Sequence, residues 1–247
     1  IGVIGKKPIH LIKPDEREKA SKLQDLWIDI GESGRDAVRG RGVRVGDPAV
    51  IDARLVELGG DLIASRSIDN RIGAFVVLEA LRLLSEDRPR AEVTAVATAQ
   101  EEIGYHGGGA RTAAYRLEPD VALVVDVTFA TDSPGIEKKE HGEHKVGGGP
   151  VLTRGSASHP LVVEKLAEVA ERENIPYTSP AAPQCTATAA DAIYLTRSGV
   201  ATGLISVPNR YMHSPNEVVS LSDLERAARL IAAFVRELGP ETSFLPR

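Results

Sequence analysis

Cysteine is almost absent from this sequence, and so are long apolar runs and any excess of positive charge. Cys185 is the only cysteine among 247 residues, so no intrachain disulfide can form, and we expect a reducing, cytoplasmic compartment. No apolar run reaches the roughly 20 residues that span a bilayer, which argues against a membrane protein. The net charge of −5 gives no reason to expect binding to nucleic acid or anionic lipid. With 42% hydrophobic and 26% charged residues, the composition is that of a globular protein.

The pattern of predicted elements changes near residue 65. Residues 1–64 consist of short pieces, with a helix predicted over 15–23 and strands over 26–30 and 49–58, which is typical of a small β-rich module. From Ser65 onward, strands alternate with long helices. This alternation predicts an α/β fold, in which a mostly parallel central sheet is covered by helices on both faces. The predicted strands of this part are 92–99, 121–125 and 201–207, and the predicted helices are 70–84, 110–117, 158–173, 187–196 and 220–238.

Carboxylates and one histidine follow the predicted strands at their carboxyl ends, where ligands of open α/β sheets gather. Asp69 follows a further predicted strand at 62–65, the pair Glu101 and Glu102 follows 92–99, and Asp126 follows 121–125. The last strand leads to His213. Taken singly, each has an ordinary explanation as a helix cap, a surface acid or a loop histidine. Taken together, they would repel one another unless a cation neutralised them. Carboxylate and imidazole ligands favour zinc, cobalt or manganese.

The adjacent glutamates Glu101 and Glu102 need different roles. Neighbours in a strand point to opposite faces, so both reach one site only where the chain turns. Gly104 and the glycines at 107–109 can supply that turn. One glutamate can then bind metal, while the other stays unligated and takes a proton from metal-bound water.

Several short segments occur in an order that resembles a known family. They are Asp69-Asn70-Arg71-Ile72-Gly73, Glu101-Glu102-Ile103-Gly104, Val125-Asp126-Val127-Thr128, Gly149-Pro150, Ala190-Asp191-Ala192 and Arg210-Tyr211-Met212-His213-Ser214-Pro215-Asn216-Glu217. Over essentially its whole length the chain resembles the deblocking and glutamyl aminopeptidases, co-catalytic metallopeptidases that assemble as tetrahedral dodecamers. Residues 1–10 are similar to part of that family's inserted dimerisation domain.

The resemblance implies a metal centre and a general base. In it, Asp69 bridges two divalent metal ions, zinc or cobalt with manganese as an alternative. Glu102 and His213 complete the protein ligands of one metal, and Asp126 binds the other. Glu101 is the general base for hydrolysis of the first peptide bond of a substrate with a free N-terminus.

The resemblance also implies features outside the ligand set. Asp191 has a structural role, and the peptide bond between Asp69 and Asn70 is cis. Residues 1–64 are the remnant of a β-rich dimerisation domain, residues 65–247 are the catalytic domain, and the protein is a dimer-based homo-oligomer. The family's remaining ligand, a histidine in a His-x-Asp segment, has no match here, and we expect it upstream of Ile1. The glycines after Glu102 outnumber those usual in the family.

Other functions stay open at this point. A glycoside hydrolase could use paired carboxylates without a metal, and it would need neither His213 nor a bridging Asp69. Carboxypeptidases and deacylases share the predicted fold. A non-catalytic assembly subunit would explain the unmatched histidine.

Overall fold

A computed structural model of the chain describes residues 1–103 and 107–244. The chain forms two compact units, Ile1–Val50 and Ile51–Arg247. Residues 51–64, which the sequence assigns to the first module, lie in the second unit, because strand pairing joins 62–65 to 217–220. No helix within the described ranges combines the length and the apolar character needed to cross a membrane.

The first unit contains one antiparallel strand pair and little other regular structure. Strand β1 (Val3–Lys6) pairs with β2 (Leu26–Asp29), so that Ile4 lies opposite Ile28. Helix α1 covers Arg35–Gly40. The helix predicted over 15–23 is wrong: only short 3-10 turns form at Pro14–Glu16 and Leu23–Asp25. All of residues 15–23 are exposed, so a helix there would lack the packing that stabilises most protein helices.

The second unit alternates strands and helices, as predicted. Its strands are β3 (Val56–Glu57), β4 (Leu62–Ser65), β5 (Val121–Phe129), β6 (Val151–Leu152), β7 (Arg154–Gly155), β8 (Ala181–Ala182), β9 (Ala201–Asn209) and β10 (Glu217–Ser220). Its helices are α2 (Ile68–Glu86), α3 (Gly108–Leu117), α4 (Lys138–His141), α5 (Pro160–Arg172), α6 (Ala190–Ile193) and α7 (Leu221–Arg236).

Two three-stranded sheets organise this unit. In one, β9 lies between β5, to which it is parallel, and β6, to which it is antiparallel. In the other, β4 lies between β10 and β3, and both pairings are antiparallel. The α/β class is confirmed. The three-stranded sheets are mixed and antiparallel, and the short pair β7 and β8 is parallel, so a mostly parallel central sheet stays a prediction.

Helices cover the β5/β9 pair on both faces, because side chains alternate along a strand. Val125 and Ile205 belong to the main core, which also includes buried residues of α2, α5 and α7. Val124 and Leu204 belong to a second cluster with alanines of α3 and α6. Burial on both faces explains why these strands are continuous apolar runs.

The prediction was less accurate where strands or helices lack a partner. Residues 92–99, predicted as a strand, form no ladder in the described part of the chain, and residues 92–98 line a cavity of about 1900 Å³. A strand requires a hydrogen-bonding neighbour, which an apolar alternation alone does not supply. The helix predicted over 187–196 is reduced to α6, and the strand predicted over 49–58 is reduced to β3.

Candidate metal centre

The candidate residues lie on elements that meet at one end of the paired strands of the second unit. Asp126 lies within β5, opposite Ser206 of β9, and only 8% of it is exposed. The strand continues to Phe129, so Asp126 precedes its end rather than terminating it. Strand β9 leads into the loop that carries His213, and β4 leads to Asp69 near the start of α2.

Three of the predicted ligands form a group. The Nε2 atom of His213 lies 3.1 Å from Oδ2 of Asp69 and 3.3 Å from Oε1 of Glu102. One ligand atom from each of these residues lies within 4.8 Å of the other two. An imidazole and two carboxylates at these separations are a donor set that zinc and similar divalent cations bind. The residues therefore fit a divalent metal ion.

Uncompensated negative charge surrounds this group. Burial, together with repulsion from Glu102, raises the pKa of Asp69 to about 7. Burial also raises the pKa of Asp126 to about 7, and the charges of Asp69, Glu101 and Glu102 add to that increase. Asp126 and Glu101 thus lie near the group and share its field, although they are not members of it. Carboxylates packed without a counterion are the arrangement that a cation stabilises.

Glu101 and His213 respond to the same field. Burial and the neighbouring charge of Glu102 raise the pKa of Glu101. For His213, burial alone would lower the pKa, but attraction to Glu102 and Asp69 outweighs it and raises the pKa. A carboxylate with a raised pKa, adjacent to metal ligands, is a stronger base than an exposed glutamate.

Glycines at the start of α3 allow this helix to approach the chain just before Glu101. The backbone N–H of Gly109 donates to the carbonyl of Ala99 at 2.8 Å. A Cβ atom on Gly108 would lie 2.6 Å from the carbonyl oxygen of Gln100, closer than real contacts allow. Gln100 itself has a positive φ of 63°, so the chain turns there. Gly104, which the sequence analysis used for this turn, lies outside the described residues.

The segment around Asn70 agrees with the expected geometry. The peptide bond between Asp69 and Asn70 is cis, which confirms that prediction. The side-chain amide of Asn70 donates to Oδ1 of Asp126 at 3.0 Å, and its oxygen accepts from the N–H of Gly73 at 2.8 Å. A side chain on Gly73 would overlap that amide.

The hydrogen bonds of Asp191 explain its position as a structural one. Its carboxylate accepts from the N–H groups of Thr186 and Ala187 and from the hydroxyl of Thr186. It therefore stabilises the turn that precedes α6, as expected for a residue without a ligand role.

Sequence analysis assigned no role to Glu217, the first residue of β10. Its side chain is 1% exposed, and its carboxylate accepts hydrogen bonds from the backbone N–H groups of Ile68, Asp69 and His213. The available signal was an acidic residue at the start of the apolar run 217–220. Such a residue is seldom buried unless it is paired.

A known family matches most of this chain. Residues 1–230 match the model of the M42 glutamyl aminopeptidase family. The chain belongs to the M42 glutamyl aminopeptidase family. Its members hydrolyse peptides, which decides between the peptidase and the glycoside hydrolase in favour of the peptidase.

Relatives in the M42 family match nearly all of this chain. The lysyl aminopeptidase of Pyrococcus furiosus is 33% identical over 241 residues, which are 97% of this chain and 67% of the relative. The crystal structure of a TET aminopeptidase from Thaumarchaeota archaeon SCGC AB-539-E09 is 35% identical, with a TM-score of 0.89, over 97% of this chain and 67% of that one. The TET1 peptidase of Pyrococcus horikoshii can assemble into a tetrahedron or a large octahedral shell. It is 30% identical to this chain, with a TM-score of 0.78, over 96% of this chain and 68% of the peptidase. This chain spans about two thirds of the length of these relatives.

Proposed function

We propose that this M42 family member is a metal-dependent aminopeptidase, in which Glu101 is the general base for hydrolysis of the N-terminal residue of a peptide. The observation that carries the proposal is the grouping of Asp69, Glu102 and His213, whose ligand atoms lie within 4.8 Å of one another. Glu101 immediately precedes Glu102 in the chain, and the charge of Glu102 acts on its carboxylate, so Glu101 lies beside this group.

Following the family resemblance, we assign the ligands of two divalent ions, zinc or cobalt. Asp69 would bridge them, Glu102 and His213 would hold one, and Asp126 would hold the other. When bound, such ions polarise the scissile carbonyl and lower the pKa of water. The buried position of Asp126 is consistent with a ligand role, because a bound cation would offset the cost of burying an ionised carboxylate that is 8% exposed.

Glu101 performs the proton transfers of the proposed reaction. Its raised pKa makes the carboxylate a better base than an exposed glutamate. It takes a proton from the attacking water at one carboxylate oxygen, holds it there, and donates it to the departing amine. The same side chain is therefore ionised at the start and at the end of each turnover.

Hydrolysis of aminoacyl-p-nitroanilides by the full-length protein tests this function. We expect activity to disappear on chelation and to return with zinc, cobalt or manganese, and we expect the N-acetylated substrate to stay intact because it lacks a free amine. Full activity after complete metal removal would contradict the proposal. Absence of hydrolysis by the reconstituted protein would favour a non-catalytic assembly subunit.

We also propose that the protein is a cytoplasmic homo-oligomer assembled from dimers through residues 1–64, with a tetrahedral dodecamer as the expected form. In the first unit, the apolar side chains of Ile4, Trp27 and Ile28 are each more than half exposed. Exposed apolar side chains on a strand pair are typical of a protein–protein contact. Size-exclusion chromatography with light scattering tests this assembly, and a full-length monomer would contradict it.

A further inference from the structure

Glu217 places a carboxylate among backbone donors in the interior of the second unit. Its Oε2 atom accepts from the N–H of Ile68 at 2.6 Å and from the N–H of Asp69 at 3.1 Å. Its Oε1 atom accepts from the N–H of His213 at 2.9 Å. One side chain thus contacts the main chain of two of the proposed metal ligands.

Burial of this carboxylate is costly, and charge pairing does not explain it. Within residues 1–103 and 107–244, Glu217 forms no ion pair with a lysine or an arginine, so backbone N–H groups supply its hydrogen bonds. Its charge also raises the pKa of Asp69, because it adds to the repulsion among the carboxylates there. The neighbouring residues of β10, Val218 and Val219, are apolar and equally buried. An apolar side chain at position 217 would leave the N–H groups of Ile68, Asp69 and His213 without this acceptor, so these backbone donors account for an acid here.

Glu217 joins two segments that are distant in sequence. The hydrogen bonds to Ile68 and Asp69 span 149 and 148 residues. On the other side, the loop 211–216 is closed by paired backbone hydrogen bonds between Arg210 and Val218, and His213 adopts a positive φ of 61° within it. The imidazole of His213 is largely exposed, so packing alone does not fix its position.

We propose that Glu217 is a positioning residue, whose carboxylate holds the backbone of Asp69 and that of His213 in the placement from which both side chains reach one metal ion. This inference rests on the metal site proposed above. It adds a residue that does not itself bind metal. Groups that orient metal ligands typically change metal affinity by about 10–100-fold when they are removed.

Because the two carboxylate oxygens of Glu217 accept from different segments, the substitution Glu217→Gln should affect the two segments differently. An amide offers one acceptor oxygen and one donor nitrogen. The amide oxygen can keep the bonds to Ile68 and Asp69, and its NH₂ group then faces the N–H of His213, which has lost its acceptor. The loop of His213 should therefore be released, while the start of α2 stays in place.

Amide hydrogen exchange in the metal-free, full-length protein tests this asymmetry directly. In Glu217→Gln we expect exchange at His213 to accelerate about tenfold or more, the size expected for a lost hydrogen bond to a charged acceptor. Exchange at Ile68 and Asp69 should change little. Asp223→Asn is the matched control, because Asp223 is 0% exposed and accepts from the N–H groups of Gly147 and Gly149. This control should leave exchange at His213 unchanged.

Unchanged exchange at His213 in Glu217→Gln would overturn the proposal, and so would equal acceleration in Asp223→Asn. The wild-type protein provides a second measurement in case the variant does not fold. There, the N–H of His213 should exchange slowly, like that of Ile68, and rapid exchange would also overturn the proposal.

Zinc affinity, measured by competition with a chelator, tests the consequence for the metal site. We expect Glu217→Gln to bind zinc about 10–100-fold more weakly than the wild type, and Asp223→Asn to bind it equally well. Wild-type affinity in Glu217→Gln would overturn the positioning role, even if His213 exchanged faster. If the wild-type protein bound none of zinc, cobalt and manganese, the proposed function would fail, and the exchange measurements would still decide whether Glu217 holds the two segments together.

Discussion

The side chain of Asn70 is hydrogen-bonded to Asp126: its Nδ2 atom donates to Oδ1 of Asp126 at 3.0 Å and to the carbonyl of Val125 at 2.9 Å. Asn70 follows Asp69 directly in the chain. The hydrogen bonds therefore hold the start of α2 against β5. Two carboxylates that would otherwise repel each other are kept close by this amide.

Substitution of Asn70 should impair the site in a graded order. Asn70→Ala removes the donor to Asp126, and we expect the full-length enzyme to lose about 10–100-fold in activity, as for other groups that orient metal ligands. Asn70→Asp should be worse, because it places a further negative charge against Asp126. Activity assays at saturating zinc, together with thermal melts, measure both effects. Equal activity in the two variants would contradict the assigned role of the amide.

Glu101 and Glu102 are adjacent, and we expect their substitutions to have different effects. Glu101→Gln should keep its bound metal and its melting temperature but lose about 10²–10⁴-fold in kcat, the usual contribution of a general base. Metal analysis of the dialysed protein, run beside the rate measurements, checks both halves.

Glu102→Gln is the matched control for that experiment. It removes a carboxylate whose Oε1 atom lies 3.3 Å from Nε2 of His213, so we expect it to lose metal on dialysis. If Glu101→Gln lost the metal and Glu102→Gln retained it, the two roles would have to be exchanged.

The strands of the candidate site could be predicted from the sequence because they are buried on both faces. The apolar runs at β5 and β9 reflect burial beneath two helical layers, and this local signal is strong. Asp126 interrupts the first run, and His213 follows the second. That both residues lie at this edge of the sheet could therefore be predicted from the two strands. Asp69 follows β4, which belongs to the other sheet, so its grouping with His213 depends on a long-range arrangement.

Long-range pairings could not be predicted in the same way. The pairing of β4 with β10 assigns residues 51–64 to the second unit, and no local pattern in either segment indicates it. The contacts of Glu217 depend on the same pairing, because its partners lie almost 150 residues away. The strand predicted over 92–99 failed for a related reason, since alternation indicates a preference and not the presence of a neighbour.

Asp61 should make the stability of the protein depend on pH. Hydrogen bonds from the hydroxyl groups of Ser220 and Ser222 lower the pKa of Asp61 to about 2, and its carboxylate also accepts from the N–H of Ser222 in the first turn of α7. The ionised form is thus favoured by folding. Its stabilising effect is complete above the unfolded pKa near 4 and is lost as the pH falls toward 2.

Urea unfolding of Asp61→Asn tests this dependence. We expect the variant to be less stable than the wild type at pH 7, and the difference to shrink as the pH falls from about 4 toward 2. Asp52→Asn, at an exposed position in the same unit, should behave like the wild type at each pH. A difference in stability between wild type and Asp61→Asn that did not vary with pH would show that the charge of Asp61 is not responsible.

Asp126 should affect the metal-free protein in the opposite sense. Burial raises the pKa of Asp126 to about 7 in the folded state, whereas in the unfolded chain this carboxyl has a pKa near 4. Between these values the folded state holds a proton that the unfolded chain has lost. The stability of the metal-free protein should therefore fall as the pH rises from about 4 to about 7. Asp126→Asn removes the charge, and we expect this variant to be more stable than the wild type at pH 8 without metal, by about 1 kcal/mol or more.

Zinc should reverse that order. A metal that binds only the folded state adds stability, and the variant has lost one of the proposed ligands. Denaturant unfolding of the full-length protein at pH 8, with chelator and then with saturating zinc, compares the two conditions directly. Asp52→Asn again serves as the exposed control. If the wild type were more stable than Asp126→Asn in chelator as well, the carboxylate would have a structural role, and its assignment as a metal ligand would lose its support.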